Sequence, residues 1–540
     1  MLAATAQAAQ RIDRPGTAQA PPGMPSIEEL EAKGATIGRI DVHVQNLFDA
    51  ADPRENHGIY KLANHLHYRT REQTVRNSLL FSPGEKLIAH RLEETERILR
   101  GRVYLNDAWV VPVAYDATTN VVDLAVTVRD VWTLNPGISL GRSGGTNQSK
   151  FQIEEENLLG LGTNVQLTHS KNVDRTSNSF DYTDPNLAGT WFQMRLGYAD
   201  NSDGSEKTLS LVRPFYALDT RMAGGALASE SSSIVSRYSL GTIVDQFTAV
   251  HNKAEVNFGV SPGLIDGWSQ RFLVGMRYDE TNFERYFPAP QPAVLPEDRK
   301  FVYPWVAWQI IEDRYAKTGN LDLIGRTEDA YVGRSLYAEI GYATPKFGAA
   351  GQSWLTSMNG LAGWQREDRE YAFFTGTLVG RLDSGVLTNL NVNASARYFN
   401  RISDRQLFYA SLTTQITHKL DEDQQVLLGG DNGLRGYPLR FQGGDASALL
   451  TLEHRLYTNW YPFRLFRVGG AVFFDAGRTW GHDLTGAPPI GLLKDVGVGL
   501  RFGNVRSGLG NVLHVDFSYA LDAPPGVKTV QVTVQTTQRF

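Results

Sequence analysis

The 540-residue chain contains no cysteine and no long hydrophobic run. The lack of cysteine excludes a disulfide framework, thiolate catalysis and cysteine-based metal sites. No stretch approaches the roughly 18–20 apolar residues that a membrane-spanning helix needs. The formal net charge is only −5, so charge gives no argument for nucleic-acid binding.

Glycine and aromatic residues are abundant, with 52 Gly, 25 Phe, 22 Tyr and 10 Trp, and short alternating segments fill most of the chain. A strand of a membrane barrel presents an apolar side chain to lipid only at every second residue. A soluble β-sandwich also alternates, but many polar-face positions here are charged or glycine, as expected for a wet lumen. The composition therefore favours a transmembrane β-barrel.

Residues 1–33 are interpreted as a signal remnant and linker that ends in a short helix. The tripeptide AQA at positions 6–8 resembles a signal-peptide cleavage site, although a disordered alanine-rich tail explains it equally well. Ser26 and Glu29 have the spacing of a capping box, which predicts a helix of about two turns. Whether this helix enters a lumen or only leads into the next segment stays open.

Residues 34–132 predict a small α+β domain in the order β-α-α-β-β. Alternation begins near Thr36, helical segments cover 70–81 and 85–101, and strand-like runs cover 103–115 and 121–132. The order, and the segment from 69 to 105 in particular, resembles a polypeptide-transport-associated (POTRA) domain. A generic α+β domain is the alternative.

Residues 133–540 predict an all-β transmembrane barrel. Alternating segments recur about every twenty residues, and short connections alternate with long polar ones. The number of strands that these segments accommodate reaches about twenty.

Three motifs in the last third of the chain carry a more specific resemblance. They are Leu434-Arg435-Gly436-Tyr437, then Glu453 in TLEHR, then Phe473, Asp475 and Gly477 in VFFDAG. Together they resemble the BamA/TamA family of POTRA-containing outer-membrane barrels, a surface-antigen superfamily that also holds two-partner secretion transporters. The resemblance implies a barrel of 16 strands with a loop folded into its lumen.

Strand parity gives a physical reading of the same residues. Alternation puts Glu453 and Asp475 on polar faces of neighbouring strands, while Arg435 lies on a loop flanked by glycines. A planar guanidinium between two carboxylates is a strong, oriented clamp when it is shielded from water. The bland alternative is that Asp475 is one of many lumen-lining charges.

The C-terminus also alternates. Val530, Val532, Val534 and Phe540 share one parity, and a terminal aromatic after such a pattern resembles the β-signal that directs barrel assembly. A strand that only closes the barrel would show the same valines.

Candidate catalytic and metal motifs are interpreted as structural. Ser261 lies in a G-x-S-x-G match but precedes proline, which lacks the backbone N–H that an oxyanion hole needs. Ser143 lies in a second match at a hairpin. His65 and His67 are interpreted as surface histidines because no suitable ligand accompanies them. The sequence thus predicts no enzyme, no cofactor and no metal.

The resemblance implies a protein that assists insertion or translocation of polypeptides at the bacterial outer membrane, with its POTRA domain in the periplasm. The implied partners are the lipid bilayer and a polypeptide client or periplasmic protein, and no nucleic acid. A passive solute channel and a surface antigen without a transport role are the alternatives.

Overall fold

The computed structural model describes residues 20–48, 53, 56–287, 289–325, 327–504 and 512–537. The tripeptide at 6–8 and the terminal Phe540 lie outside these ranges. No helix in the described part of the chain is long and apolar enough to cross a membrane.

A three-stranded sheet with helices packed on it forms the N-terminal unit. Its strands are β1 (Thr36–Gln45), β2 (Leu105–Asp116) and β3 (Val121–Asp130), and its helices are α1 (Ile27–Ala32), α2 (Gly58–Leu66), α3 (Glu72–Arg76) and α4 (Ala89–Arg100). The sheet order is β1-β3-β2, with β1 parallel and β2 antiparallel to β3.

The helices differ from the sequence prediction in two ways. The expected helix over 70–81 is shorter, because α3 ends at Arg76 and the following residues turn toward the barrel. Helix α2 is an addition, so three helices rather than two separate β1 from β2. Helix α1 has the capping box and buries Leu30 in the core of this unit.

Twenty antiparallel strands close into a barrel. They are β4 (Leu134–Ser143), β5 (Thr146–Glu155), β6 (Asn164–Lys171), β7 (Thr176–Asp184), β8 (Gln193–Asn201), β9 (Gly204–Arg213), β10 (Met222–Ser239), β11 (Thr242–Ile265), β12 (Trp268–Arg285), β13 (Arg299–Glu312), β16 (Arg334–Ala343), β17 (Ser353–Arg366), β18 (Glu370–Asp383), β19 (Val386–Ser403), β20 (Gln406–His418), β23 (Ala446–Tyr457), β24 (Phe466–Trp480), β25 (Leu493–Asn504), β26 (Val512–Ala520) and β27 (Val530–Thr537).

The expected number of 16 strands is therefore wrong. That number came from the family resemblance, whereas the alternating segments themselves accommodate the 20 strands that the barrel contains. The strands follow each other around the wall in chain order, and β27 returns to β4.

Two short hairpins lie between barrel strands. The first pairs β14 (Tyr315–Gly319) with β15 (Thr327–Tyr331), and the second pairs β21 (Val426–Leu428) with β22 (Gln442–Gly444). Short 3-10 helices occupy other turns at Leu158–Gly160, Leu187–Gly189, Pro345–Phe347 and Pro462–Arg464. Each strand runs once from one mouth of the barrel to the other, so successive connections alternate between the two mouths. The first hairpin therefore lies at the mouth where the N-terminal unit sits, which we call the domain-side mouth. The second lies at the opposite, far mouth.

The wall has an apolar outer face. On β25, Val496, Val498 and Leu500 are exposed, and on β26 the same holds for Phe517 and Tyr519. Their neighbours in sequence point inward and, apart from Ala520, are polar, charged or glycine. A closed barrel satisfies the backbone hydrogen bonds of its strands within its own wall. Together with the apolar exterior, this makes the wall suited to a lipid environment.

Candidate functional site: an arginine network in the barrel lumen

The connection between β20 and β23, residues 419–445, folds back into the lumen from the far mouth; we call it the lumen loop. Its tip is a tight turn in which the Gly430 N–H donates to Pro438 O at 2.9 Å. Leu434 and Tyr437 at the tip are fully buried. At Gly436 an added Cβ would lie 2.6 Å from the Asp495 Cβ, so the approach of the tip to the wall requires glycine.

Arg435 projects from this tip onto the wall. Its Nε and Nη2 donate to both oxygens of Asp475 at 2.7 and 3.0 Å, and its Nη1 donates to Glu453 Oε1 at 2.9 Å. The guanidinium carbon lies 3.4 Å from the centre of the Phe473 ring. A guanidinium that is hydrogen-bonded along two edges and stacked on an aromatic ring is fixed in orientation.

Four further charged groups belong to the network, and sequence reasoning did not single them out. Asp516 Oδ2 lies 3.3 Å from Arg435 Nη1, and its other oxygen accepts from Arg501. Arg455 Nε donates to Glu453 Oε2 at 2.9 Å. Asp495 accepts the Gly436 N–H at 3.0 Å. The available signal was strand parity, since these residues share the inward face with Glu453 and Asp475.

The network is closed to water, since Arg501, Asp475 and Asp516 have no exposed surface. Taking so many charges from water is costly, and mutual pairing has to offset that cost. Arginine stays protonated at ordinary pH and acts here as a donor only. The arrangement therefore serves to hold the lumen loop in position.

The remaining predicted site residues lie on the wall. Gly477 faces the lumen, where an added Cβ would approach Leu428 to 2.8 Å, so the glycine makes room for the loop. On β27, Val530 is exposed and the adjacent Gln531 and Thr533 are buried, as outward and inward faces of one strand. Phe540 is outside the described residues.

The junction of β27 with β4, which we call the seam, is weakly paired. Among the described residues it has one register position, Val534 opposite Arg142. The pairing of β26 with β27 runs from Val512 to Tyr519, and all ten residues of β4 pair with β5. Within the described residues, fewer register positions join β4 to β27 than join either strand to its other neighbour.

A second element enters the lumen from the domain-side mouth. We call residues 314–333, which include β14 and β15, the inner hairpin. Its tip buries Leu321 and Ile324 against aromatic and aliphatic side chains of the wall. Arg455 Nη1 donates to Leu321 O at 3.0 Å, and the Tyr457 hydroxyl donates to Asn320 O at 2.9 Å. Arg455 therefore joins the inner hairpin to the network around Arg435.

The base of the inner hairpin is bound to α4. Arg100 makes a two-edged pair with Asp329, both contacts at 2.8 Å, and Lys317 pairs with Glu96 at 2.7 Å. The Arg97 guanidinium lies 3.8 Å from the centre of the Tyr315 ring. These contacts dock the N-terminal unit on the barrel.

His90 adds a charged contact at the same junction. Its Nδ1 lies 2.8 Å from Asp313, and its Nε2 lies 3.1 Å from Glu94. The contact with Asp313, followed by that with Glu94, raises the pKa of His90 to about 10. The imidazolium is thus charged at neutral pH and holds α4 to the turn after β13.

Other turns of the domain-side mouth also contact the N-terminal unit. Thr74 Oγ1 donates to Gly160 O at 2.7 Å, and Arg102 Nη2 donates to Asn186 Oδ1 at 2.8 Å. The Leu218 N–H donates to Glu94 Oε1 at 2.9 Å.

Three residues of the motifs that were interpreted as structural make specific contacts. His67 is buried and lies 2.9 Å from Asp130, so its interpretation as a surface residue is wrong; the acidic end of β3 draws it inward. Ser143 donates to Gly430 O of the lumen loop, and Ser261 Oγ accepts the Gly263 N–H at 2.9 Å.

Neither a protein-family model nor a curated protein sequence matches the chain. Solved barrels are similar in architecture. BamA from Haemophilus ducreyi lacking POTRA domains 1–3 is 13% identical with a TM-score of 0.40, over 92% of this chain and 85% of that one. CdiB from Escherichia coli is 14% identical with a TM-score of 0.48, over 92% and 76%. The FrpB iron transporter from Neisseria meningitidis is 9% identical with a TM-score of 0.42, over 81% and 87%. Values this low assign no function.

Proposed function

We propose that the chain is a BamA/TamA-type barrel of the bacterial outer membrane that assists insertion or translocation of polypeptides. In this proposal residues 34–132 are a periplasmic POTRA domain, residues 133–540 are the barrel, and residues 1–33 are a signal remnant and linker with a short helix. The observation that carries the proposal is the seam, where the described residues of β4 and β27 share one register position, whereas every other pair of neighbouring barrel strands shares seven or more. A wall that opens at one place can pass a strand or a segment sideways into lipid.

Two features support the same reading. The lumen loop is fixed by Arg435 next to β25 and β26, which precede the seam, so the wall beside the seam is braced. At the domain-side mouth, the N-terminal sheet has β1 and β2 as its edge strands. A sheet edge recruits an extended polypeptide by adding it as a further strand.

A disulfide across the seam tests the proposal. The chain has no cysteine, so the pair Arg142→Cys and Val534→Cys forms the only possible bridge. Purified protein in proteoliposomes would be assayed for insertion of an unfolded outer-membrane barrel polypeptide, read as heat-modifiable migration. We expect oxidation to reduce insertion at least about tenfold and reductant to restore it, because the seam then cannot open.

The matched control is the pair Phe517→Cys and Val532→Cys, which bridges the fully paired strands β26 and β27. Oxidation of this pair should leave insertion unchanged. Equal activity of the oxidised and reduced seam variant would overturn the proposal.

A passive solute channel is the second candidate, favoured only by the closed barrel itself. The buried lumen loop opposes it, because a wide pore has no need of a loop held by Arg435. Planar-bilayer recordings separate the two functions. A channel predicts large steady currents in the native protein that Arg435→Ala leaves unchanged.

A further inference from the structure

A groove of about 1010 Å³ lies on the outer wall beside the domain-side mouth. Strands β9, β10 and β11 form its back, and residues 79–82 of the N-terminal unit form its roof. It is separate from the lumen network and from the seam. Its shape and charge have no part in the function proposed above.

The back of the groove is an apolar furrow. Leu211 on β9 and Phe258 on β11 are exposed and face outward. Between them β10 presents Gly224, opposite Phe258, and Ala226, opposite Leu211. Two minimal side chains between two bulky ones leave an apolar furrow along the strand.

The end of the furrow nearest the roof is cationic. Arg213 extends the outward face of β9 and donates to Met222 O, and its Nη2 lies 3.4 Å from the Tyr216 hydroxyl. Arg221 packs its guanidinium against Gly263. Within the described residues, neither arginine pairs with a carboxylate.

The single acidic residue that lines the groove is already engaged. Asp219 Oδ2 lies 3.4 Å from Arg91 Nε, and its Oδ1 accepts the Leu264 N–H at 3.3 Å. The positive charge of Arg213 and Arg221 is therefore left for an anion. Trp191 and Tyr216 stack at 4.0 Å beside this end, where aromatic rings mark the level of lipid headgroups.

We propose that the groove binds one anionic phospholipid of the periplasmic leaflet. Its phosphate lies between Arg213 and Arg221, one acyl chain follows the furrow over Gly224 and Ala226, and residues 79–82 cover the headgroup. Charge complementarity selects a phospholipid with a net negative charge over a zwitterionic one. The proposal rests on the outer-membrane location but not on polypeptide handling.

Native mass spectrometry of the full chain in detergent tests it, with dioleoylphosphatidylglycerol and dioleoylphosphatidylcholine as probes. We expect the wild type to bind phosphatidylglycerol at least tenfold more tightly. The variant Arg213→Gln with Arg221→Gln should lose this preference, because the anion site is gone. Gly224→Leu should weaken both lipids at least tenfold, because the side chain fills the furrow.

Two controls exclude general effects. Gly360→Leu adds the same side chain to β17, where an added Cβ has at least 4.0 Å of space. Arg195→Gln removes an arginine from β8, where it lies opposite Ser210 on the inward face. Both should bind as the wild type does, and heat-modifiable migration verifies folding of every variant. Equal affinity for the two lipids in the wild type, or an unchanged affinity in the double arginine variant, would overturn the proposal. Either result leaves the seam experiment intact.

Discussion

At the scale of single residues, Arg435 determines the place of the lumen loop. It meets three carboxylates from three strands, Glu453, Asp475 and Asp516, and each of them is buried. Buried charges of one sign repel each other unless a counter-charge lies among them. The loop therefore adds Arg435 to the two cations that the wall supplies, Arg455 and Arg501.

Replacing Arg435 with alanine leaves these carboxylates with fewer partners. Breaking a buried pair in this way costs about 3–5 kcal/mol. We expect the free energy of unfolding, measured by urea titration in vesicles, to fall by that order. Arg440→Ala is the control, because Arg440 lies on the same loop but binds the half-exposed Asp174, and a cost below about 1 kcal/mol is expected. Similar losses in the two variants would contradict this role of Arg435.

Sequence reasoning reaches part of this network. Alternation in TLEHR and VFFDAG puts Glu453 and Asp475 on inward faces, and the structure has both within hydrogen-bonding distance of Arg435. The sequence does not say how far a guanidinium reaches across strands. Asp516, which follows 81 residues after Arg435, becomes a partner only through barrel closure.

At the scale of elements, the inner hairpin is the feature that the sequence least indicates. Residues 314–333 alternate short apolar stretches with glycine and charged residues, and no run among them is long or regular enough to predict an element that enters the lumen. Leu321 and Ile324 become buried because the barrel offers them an apolar cluster of Tyr371, Phe399 and Leu407. Helix α2 was not predicted because it is only nine residues long and lacks a side-chain N-cap, so the usual signals of a helix start are absent.

The tip of the inner hairpin is expected to leave the lumen when its apolar residues become acidic. Leu321→Asp with Ile324→Asp places two carboxylates in an apolar cluster, which is unfavourable by several kcal/mol. We expect larger steady currents in planar bilayers, because the domain-side mouth then opens. Leu484→Asp with Ile490→Asp, at exposed positions beyond β24, should change nothing. Currents equal to those of the wild type in the first variant would count against the inner hairpin as an obstruction.

At the scale of the whole molecule, the number of strands was predicted differently by the alternation pattern and by the family resemblance. Alternation along residues 133–540 accommodates the 20 strands, because each strand carries its own pattern. The resemblance to a family suggested 16, because motifs in the last third of the chain do not determine how many hairpins precede them. The N-terminal unit docks on turns that are far apart in sequence, and these turns lie together only because the wall closes.

One polar path runs through the molecule. Arg100 on α4 binds Asp329 of the inner hairpin, the hairpin accepts from Arg455, and Arg455 shares Glu453 with Arg435. The lumen loop continues the path to the far mouth. Groups in one connected network have non-additive effects on stability.

A double-mutant cycle measures this connection. We expect Arg100→Ala and Arg435→Ala to deviate from additivity in the free energy of unfolding by more than about 0.5 kcal/mol. Arg277, which binds Glu255 and Glu339 on another part of the wall, supplies the control pair with Arg100. That pair should be additive within about 0.3–0.5 kcal/mol. Equal deviations in the two cycles would show that the path transmits nothing specific.

The inner hairpin touches both the N-terminal unit and the network that seats the lumen loop, and this has a thermodynamic consequence. Coupling between two equilibria is reciprocal. If a ligand of the N-terminal unit raises the equilibrium constant for release of the lumen loop by some factor, release of the loop raises the affinity for that ligand by the same factor. A molecule that recognises the far mouth would then report what is bound to the N-terminal unit at the domain-side mouth.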